Sequence, residues 1–189
     1  MKRHTQIYFI TGNAGKFNEA KAMLPELKQL NIDLPELQET DQKKIIETKL
    51  HEARKHAKTR KHVKGLYIVE DTSLAFDCLG GLPGPFIKWF IKSIGNEGLF
   101  RLTKKMRNNH AEATTMIGYA DAKEYAHYFR GTIKGRIVSP KGKGFGWDPI
   151  FMPDNHKKRL SEMKREEKNS ISMRGKAFLQ LKKHLAKKK

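Results

Sequence analysis

The sequence predicts an α/β or α+β fold built on a mixed β-sheet, and three features of the chain lead to this prediction. The first half alternates short apolar runs with helical stripes, which is typical of strand–helix units. Residues 112–120 and 124–139 instead alternate apolar and polar side chains with a period of two, as antiparallel strands do. No internal repeat or Ser/Gly-rich linker separates the two patterns, so we expect them to share one sheet.

The first half of the chain predicts two strands and two helices. A strand at residues 6–12 leads through a tight turn into a helix that ends before Pro25. A second helix is expected over residues 41–64, because apolar residues recur at helical spacing while Lys and Arg occupy the other faces, and Gly65 closes it. Residues 66–69 then form a buried strand that ends at a pair of acidic residues.

The second half predicts further helices around the paired strands. Pro85 suits the first turn of a helix that reaches Ile94, and Asn96 is placed to cap another helix after it. Residues 121–123 are expected to form the hairpin turn between the two paired strands. A final helix is expected with Arg174, Phe178, Leu181 and Leu185 at helical spacing, and it ends in the lysines of residues 187–189.

Positive charge is the strongest compositional feature of the 189 residues. Lys and Arg number 39 against 20 Asp and Glu, which gives a formal net charge of +19. Much of the excess lies in residues 43–64, with nine basic and two acidic residues, and in residues 157–189, with 13 basic and three acidic residues. Such a chain is attracted to polyanions, which include nucleic acids, acidic surfaces and phosphorylated small molecules.

The composition also restricts the class of protein. A single cysteine, Cys78, excludes a disulfide framework and favours a reducing, intracellular compartment. The apolar run near the N-terminus is too short for a signal peptide, and no later stretch approaches the roughly 20 apolar residues of a membrane span. We therefore expect a cytoplasmic protein without a membrane partner, and 38% hydrophobic residues are enough for a buried core.

The first candidate site lies between the first strand and the first helix. Its residues are Thr11, Gly12, Asn13, Ala14, Gly15 and Lys16. Unpaired N–H groups at a helix N-terminus attract anions, and Lys16 adds a positive charge, so this segment can bind phosphate. It lacks the spacing of a Walker A or dinucleotide-binding loop, and an ordinary strand-to-helix turn is the alternative interpretation.

Carboxylates form the second candidate site. Glu70 and Asp71 follow an apolar strand, and Glu36 lies upstream of them. Mg²⁺ takes oxygen ligands and is usually held by one or two carboxylates together with the phosphates of a substrate. A neighbouring carboxylate can also accept the proton of an attacking water. The alternative interpretation is a solvated strand end.

An aromatic segment in the second half forms the third candidate site, and a set of long cations forms the fourth. The segment Phe145, Gly146, Trp147 and Asp148 offers ring faces for a nucleobase and a carboxylate that accepts from the N1–H of a keto purine, whereas adenine has a lone pair there. Long cations could hold phosphates, and the candidates are Lys49, Lys168 and Arg174. Ordinary core aromatics and solvated surface cations are the alternative interpretations.

Five segments in this order resemble one known family over nearly the whole chain. They are TGNAGK at residues 11–16, EDT at 70–72, LGGLPGPFIKWF at 79–90, FGWDP at 145–149, and EKN followed by SMR within 167–174. The chain is similar to the inosine triphosphate pyrophosphatase (ITPase) family of noncanonical purine nucleoside triphosphate diphosphatases.

The resemblance implies an α/β fold in which a long mixed β-sheet carries helices that form two lobes around a central cleft. It implies a single domain over residues 1–189, whose end at residues 182–189 is basic. It further implies Mg²⁺-dependent hydrolysis of ITP, dITP and XTP to the monophosphate and pyrophosphate, and a homodimer without a specific nucleic-acid partner.

The same resemblance implies roles at the triphosphate and metal. Residues 11–16 hold the triphosphate, Asp71 binds metal and accepts the proton of the attacking water, and Thr72 contacts substrate. Glu36 matches the second metal carboxylate, and Lys49 matches a lysine on the phosphate side.

One departure from the family pattern concerns the base. The resemblance implies that residues 145–148 read the base and that Lys168 and Arg174 contact substrate. Met173 stands where the family has His, and a thioether cannot donate a hydrogen bond to the keto oxygen of a purine. We therefore expect weaker base selectivity from this chain than from a chain with His at this position.

Two other functions stay open at the level of the sequence. A basic nucleic-acid-binding protein would explain the net charge of +19, although the chain carries no zinc finger, RNA-recognition signature or basic zipper. A pyrophosphatase with another base preference, such as a Maf-type pyrimidine nucleotide pyrophosphatase, is the second alternative. Residues 80–89 and 145–148 favour the purine family over it.

Overall fold

Seven strands form one mixed sheet within residues 6–59, 65–120 and 125–187, which are the residues that the computed structural model describes. The strands are β1 (Ile7–Ile10), β2 (Lys28–Leu30), β3 (Leu66–Phe76), β4 (Pro83–Gly84), β5 (His110–Ala120), β6 (Ala126–Ile137) and β7 (Phe151–Pro153). The helices are α1 (Ala14–Met23), α2 (Gln42–Thr59), α3 (Ile87–Lys105), α4 (Arg165–Ile171) and α5 (Met173–Lys187).

The topology confirms the predicted α/β fold on a mixed sheet. The strand order is β2-β1-β3-β5-β6-β7, with β4 paired to β3. β1 runs parallel to both β2 and β3, whereas β4 is antiparallel to β3 and β7 is antiparallel to β6. Among the described helices, none is long and apolar enough to cross a membrane.

The chain divides into two compact units. The first comprises Met1–Asp71, Met116–Arg130 and Ala177–Lys189, and the second comprises Thr72–Thr115 and Gly131–Lys176. The strands β3, β5 and β6 each contribute residues to both units.

Helices cover both faces of the sheet in the first unit, because successive residues of a strand point to opposite sides. Phe9 and Ile68 face one core, which residues of α1 and α5 complete. Ile10 and Val69 face another core, which α2 completes. The residues that α2 contributes are Ile46, Leu50 and Ala53.

The second unit has its own apolar core. Leu74 and Phe76 of β3 pack there with Leu99 of α3 and with Phe151 of β7. Met173, the first residue of α5, is also part of this core.

The prediction that the second strand ends at residue 69 is wrong, because β3 continues through the acidic pair to Phe76. The residues that follow Asp71 are mostly buried, and β4 pairs with β3 at Leu74 and Ala75. Apolar burial and strand pairing therefore extend the strand beyond its charged residues. Glu70 is buried within it, which contradicts the alternative of a solvated strand end.

The two predicted helices at residues 85–106 are consecutive parts of α3, which is bent at Gly95, where φ is 64°. The helix begins at Ile87 rather than at Pro85. The prediction that Asn96 caps a helix is wrong. Its Nδ2 donates to the Gly146 carbonyl at 3.0 Å, and its Oδ1 has no hydrogen-bond partner in the part of the chain that the structure describes.

Other local predictions are confirmed or fall outside the described residues. α1 and α5 lie where helical spacing predicts them, and β1 lies within residues 6–12. The predicted hairpin turn at residues 121–123 and the predicted helix end at residue 64 lie outside the described residues.

Candidate active site

Residues 11–16 form an exposed turn at the N-terminus of α1 in the first unit. Asn13 is the N-cap, since its Oδ1 accepts from the Lys16 N–H at 3.0 Å, and its own N–H donates to Thr11 Oγ1 at 3.1 Å. Gly12, Asn13 and Ala14 are exposed, while Thr11, Gly15 and Lys16 are half-buried. The turn therefore presents the positive end of a helix to solvent, as an anion-binding segment requires.

A buried ion pair connects this turn to β3. Lys16 Nζ lies 3.3 Å from Glu70 Oε1, and the Glu70 side chain is only 1% exposed. A carboxylate this deeply buried needs a counter-charge, and Lys16 supplies it. The proposed phosphate-binding lysine is therefore held on the acidic strand.

Asp71, the next residue of β3, receives donors from two residues of α2. Lys49 Nζ lies 3.2 Å from Asp71 Oδ1 and 3.3 Å from the Glu70 carbonyl. Gln42 Nε2 donates to Asp71 Oδ2 at 3.2 Å. The Asp71 side chain is 13% exposed, so a small ligand can still reach it.

These carboxylates fit a hard divalent cation by their chemistry. Asp71 offers carboxylate oxygens on a side chain that is 13% exposed, and one or two carboxylates suffice where substrate phosphates complete the shell. Among the described residues, no group of three or more His, Cys, Asp or Glu side chains forms a metal site. Glu36 is exposed in the segment between β2 and α2, and its pairing with Asp71 at a metal stays a prediction.

The second unit gathers an aromatic ring and two cations. Lys168 Nζ lies 5.2 Å from the centre of the Phe145 ring, and the Arg174 guanidinium carbon lies 5.5 Å from it. Arg174 is 1% exposed, and one of its terminal nitrogens donates to Thr72 Oγ1 at 3.4 Å. The fold thus brings Thr72, Phe145, Lys168 and Arg174 together, although Thr72 and Arg174 are 102 residues apart in sequence.

Asp148 forms a buried ion pair with Lys168. The two charged atoms, Asp148 Oδ2 and Lys168 Nζ, lie 2.5 Å apart, and both side chains are less than 10% exposed. Gly144 makes room for this carboxylate, because a Cβ there would lie 2.8 Å from Asp148 Cβ. The predicted base acceptor is therefore held in a fixed place by a lysine.

The remaining predicted residues of this unit have mixed surroundings. Gly146 is exposed with a φ of 63°, which favours glycine. Trp147 packs against the core of the second unit, and its Nε1 has no hydrogen-bond partner among the described atoms. Met173 is 2% exposed and is buried in the same core, so its predicted contact with substrate stays a prediction.

The comparison with known proteins assigns the family. A sequence model of the Ham1 family matches residues 7–184. The chain belongs to the Ham1 family. It is 41% identical over 194 residues to a protein of Saccharomyces cerevisiae named inosine triphosphate pyrophosphatase, covering 96% of each chain. A protein of the same name from Candida glabrata is 42% identical over 191 residues, covering 96% of this chain and 97% of its own.

Two solved structures share the fold. A Ham1 protein from Coxiella burnetii superposes with a TM-score of 0.77 at 24% identity, covering 96% of this chain and 98% of its own. A dITP/XTP pyrophosphatase from Mycobacterium abscessus superposes with a TM-score of 0.62 at 26% identity, covering 93% of this chain and 97% of its own.

Sequence reasoning missed two amide side chains of this Ham1 family member. Gln42 contacts Asp71, and Asn96 holds the Gly146 carbonyl. Gln42 follows directly on Asp41, which caps α2. The sequence predicts the start of this helix, but it does not predict the contact of Gln42 with Asp71, which spans 29 residues. A single amide carries no spacing signal, and only the fold reveals its partner.

A network of polar contacts anchors the segment that leads to Phe145. Arg159 Nε donates to the Ser139 carbonyl at 2.8 Å, and Ser161 Oγ donates to the Lys141 carbonyl at 2.6 Å. Glu162 pairs with Lys141 at 2.7 Å and with Arg159 at 3.0 Å. These contacts hold residues 139–141 from the side of the following 3₁₀ turn at Leu160–Glu162.

Acid is expected to weaken this network through Glu162. The Lys141 ammonium, followed by the Arg159 N–H and guanidinium, lowers the pKa of Glu162 from 4.5 to about 2. A lowered pKa in the folded state means that the contribution to stability is complete above pH 4.5 and is lost as the pH falls toward 2. Urea unfolding between pH 7 and pH 2 should give a lower free energy of unfolding for Glu162→Gln than for wild type at neutral pH. The difference in free energy should disappear as the pH falls toward 2. A difference that is independent of pH would contradict this expectation, and Glu166→Gln on α4 is the control.

Proposed function

We propose that this protein hydrolyses noncanonical purine nucleoside triphosphates, namely ITP, dITP and XTP, to the monophosphate and pyrophosphate. The observation that carries the proposal is the Asp71 carboxylate, held at both oxygens by α2 and still open to a small ligand. The names of the curated relatives support the reaction class, since they are called inosine triphosphate pyrophosphatases.

The first unit supplies the groups for the triphosphate. Asp71 and Glu36 would hold Mg²⁺, which when bound neutralises phosphate charge and polarises the phosphoryl group. Residues 11–16 bind phosphate oxygens through helix N–H groups and Lys16. Asp71 accepts a proton from the attacking water, whose oxygen forms a bond to the α-phosphorus, and the bond from the α-phosphorus to the bridging oxygen breaks, so that pyrophosphate leaves with that oxygen.

The second unit supplies the groups for the base. Asp148 accepts from the N1–H of a keto purine, and adenine is rejected because its N1 carries a lone pair. Phe145 offers an aromatic face, and Lys168 and Arg174 provide positive donors beside that ring. Thr72 contacts substrate through its hydroxyl, which accepts a hydrogen bond from Arg174.

We propose a homodimer in the cytoplasm as the working form. The resemblance to the family supports the dimer, and the single cysteine supports a reducing compartment. Light scattering would then give about twice the chain mass of 21.8 kDa.

The function is tested by a panel of nucleoside triphosphates with Mg²⁺, scored for pyrophosphate release. Release from ITP and XTP, with little from ATP, TTP or UTP, is the expected result. Preferential release from TTP or UTP would instead indicate a pyrimidine nucleotide pyrophosphatase. No release from any triphosphate, together with salt-sensitive binding of DNA or RNA, would indicate a nucleic-acid-binding protein.

Selectivity between ITP and ATP should increase in a Met173→His variant. Histidine adds a donor for the keto oxygen, and one hydrogen bond at a buried base contact is worth about 1 to 3 kcal/mol, roughly tenfold to a hundredfold. The ratio of kcat/KM for ITP over ATP is therefore expected to rise by about this factor. Met173→Leu, which keeps an apolar side chain, should leave the ratio at the wild-type value. Equal ratios in the His variant and in wild type would contradict the hypothesis that Met173 lowers the selectivity for ITP.

A further inference from the structure

We propose that Gln42 is a positioning residue for Asp71, a proposal that rests on the function proposed above. Gln42 Nε2 donates to Asp71 Oδ2, and Lys49 Nζ donates to Asp71 Oδ1, each at 3.2 Å. Both oxygens of the carboxylate are therefore held from α2. A carboxylate held at both oxygens cannot turn freely about its Cβ–Cγ bond, so the two donors together fix its plane.

The spacing of the two donors matches the geometry of the helix. Gln42 and Lys49 are seven residues apart, which is close to two turns at about 3.6 residues per turn, so both lie on one face of α2. Ile46 of the same helix packs closely against β5, since a Cβ at Gly118 would lie 2.4 Å from Ile46 Cγ2. Core packing thus sets how near α2 lies to the sheet and how well its donors reach Asp71.

The start of α2 is fixed independently of Asp71. Asp41 Oδ1 accepts from the Lys43 N–H at 2.8 Å and caps the helix. Glu39 Oε1 accepts from the N–H groups of Thr40 and Asp41 at 2.8 and 3.3 Å. The Asp41 N–H, followed by Lys44 and Thr40, lowers the pKa of Glu39 to about 2, so this anchor is charged at neutral pH. Gln42 follows directly on these capping residues.

An amide suits this position for an electrostatic reason. A second lysine would also hold Asp71, but its charge would oppose a divalent cation at the same carboxylate. The Gln42 amide orients the carboxylate without adding charge. Each carboxylate oxygen has two lone pairs, so one donor on each leaves a lone pair for a metal ion or a water.

The proposal is tested by Gln42→Met, which removes the donor and keeps a side chain of similar length. Lys43→Met is the matched control, because Lys43 is the next residue of α2 and is exposed, paired with Glu47 at 3.9 Å. For each variant we would measure Mn²⁺ affinity without nucleotide, kcat and KM for ITP, and Tm. Partners that orient metal ligands are worth about tenfold to a hundredfold in metal affinity or activity. Gln42→Met should therefore lose about tenfold or more in Mn²⁺ affinity and in kcat, with KM for ITP changed less than about twofold.

Three outcomes distinguish a positioning role of Gln42 from a role in helix stability and from a failure of the proposed function. The expected result is the loss of Mn²⁺ affinity and kcat in Gln42→Met with wild-type values in Lys43→Met. Wild-type Mn²⁺ affinity in Gln42→Met overturns the proposal, and a lowered Tm alone would then assign Gln42 to helix stability. If wild type binds Mn²⁺ but does not hydrolyse ITP, the proposed function fails, while the Mn²⁺ comparison still decides the role of Gln42.

Discussion

Asp71→Asn is expected to lower kcat for ITP by about a thousandfold or more while the protein stays folded. Asparagine keeps the shape of the side chain, but its single oxygen can accept from only one of the two donors, Lys49 or Gln42, and its NH2 group then faces the other. It carries no negative charge for a metal ion and is too weak a base to take a proton from water. Steady-state pyrophosphate release measures kcat, and circular dichroism with Tm shows that the fold is retained.

Asp77→Asn is the matched control for this variant. Asp77 follows β3 directly and is exposed, so the same substitution there removes one surface carboxylate without touching Asp71. Its kcat should stay within about twofold of wild type, as is usual for a surface substitution. Turnover at the wild-type rate by a folded Asp71→Asn protein would rule out the assigned role.

Asp148→Asn is expected to destabilise the protein by about 3 to 5 kcal/mol, because it leaves the buried Lys168 ammonium without its counter-charge. The pair is formed by side chains that are 8% and 9% exposed, so water cannot compensate well for the lost carboxylate. The free energy of unfolding in urea measures the effect. The same variant should lose its preference for ITP over ATP, since Asn can present its amide N–H₂ to adenine N1.

A double variant separates the charge effect from the base effect. Asp148→Asn combined with Lys168→Met removes both charges, so part of the lost stability should return while the preference for ITP stays lost. The exposed pair of Lys158 and Glu167, 3.6 Å apart, is the control, and Glu167→Gln should cost less than about 1 kcal/mol. A loss of that small size in Asp148→Asn would show that the buried pair contributes little.

Local features of the chain were predictable from the sequence. The β1 strand, the turn at residues 11–16 and α1 follow one another within 20 residues, and each depends on its own residues and near neighbours. The N-cap at Asn13 is of this kind, since its contact to Lys16 spans three positions. The bend of α3 falls where Gly95 and Asn96 separate two apolar stripes.

Long-range features were not predictable. β3 continues past Asp71 because β4 pairs with it and the core of the second unit buries it. Neither partner can be predicted from the residues of the strand itself. The pairing of Asp148 with Lys168 spans 20 residues, and that of Gln42 with Asp71 spans 29. Such partners depend on how elements pack, so spacing in the sequence carries no trace of them.

The ion pairs also explain how the site relates to the net charge of +19. Three lysines proposed to contact the nucleotide each lie beside a carboxylate. The pairs are Lys16 with Glu70, Lys49 with Asp71, and Lys168 with Asp148. These lysines are largely neutralised by their partners, so the excess positive charge resides on other residues, including the remaining basic residues of 157–189. That surface charge can speed the encounter with a polyphosphate substrate without belonging to the site.

Product analysis of ITP hydrolysis tests the central claim most directly. Purified protein, Mg²⁺ and ITP would be incubated together, and phosphorus NMR would follow the products, with Asp71→Asn as the blank. The account predicts inosine monophosphate and pyrophosphate in equal amounts, with no inosine diphosphate at any time. Formation of inosine diphosphate and inorganic phosphate, or intact ITP after prolonged incubation with folded protein, would contradict it.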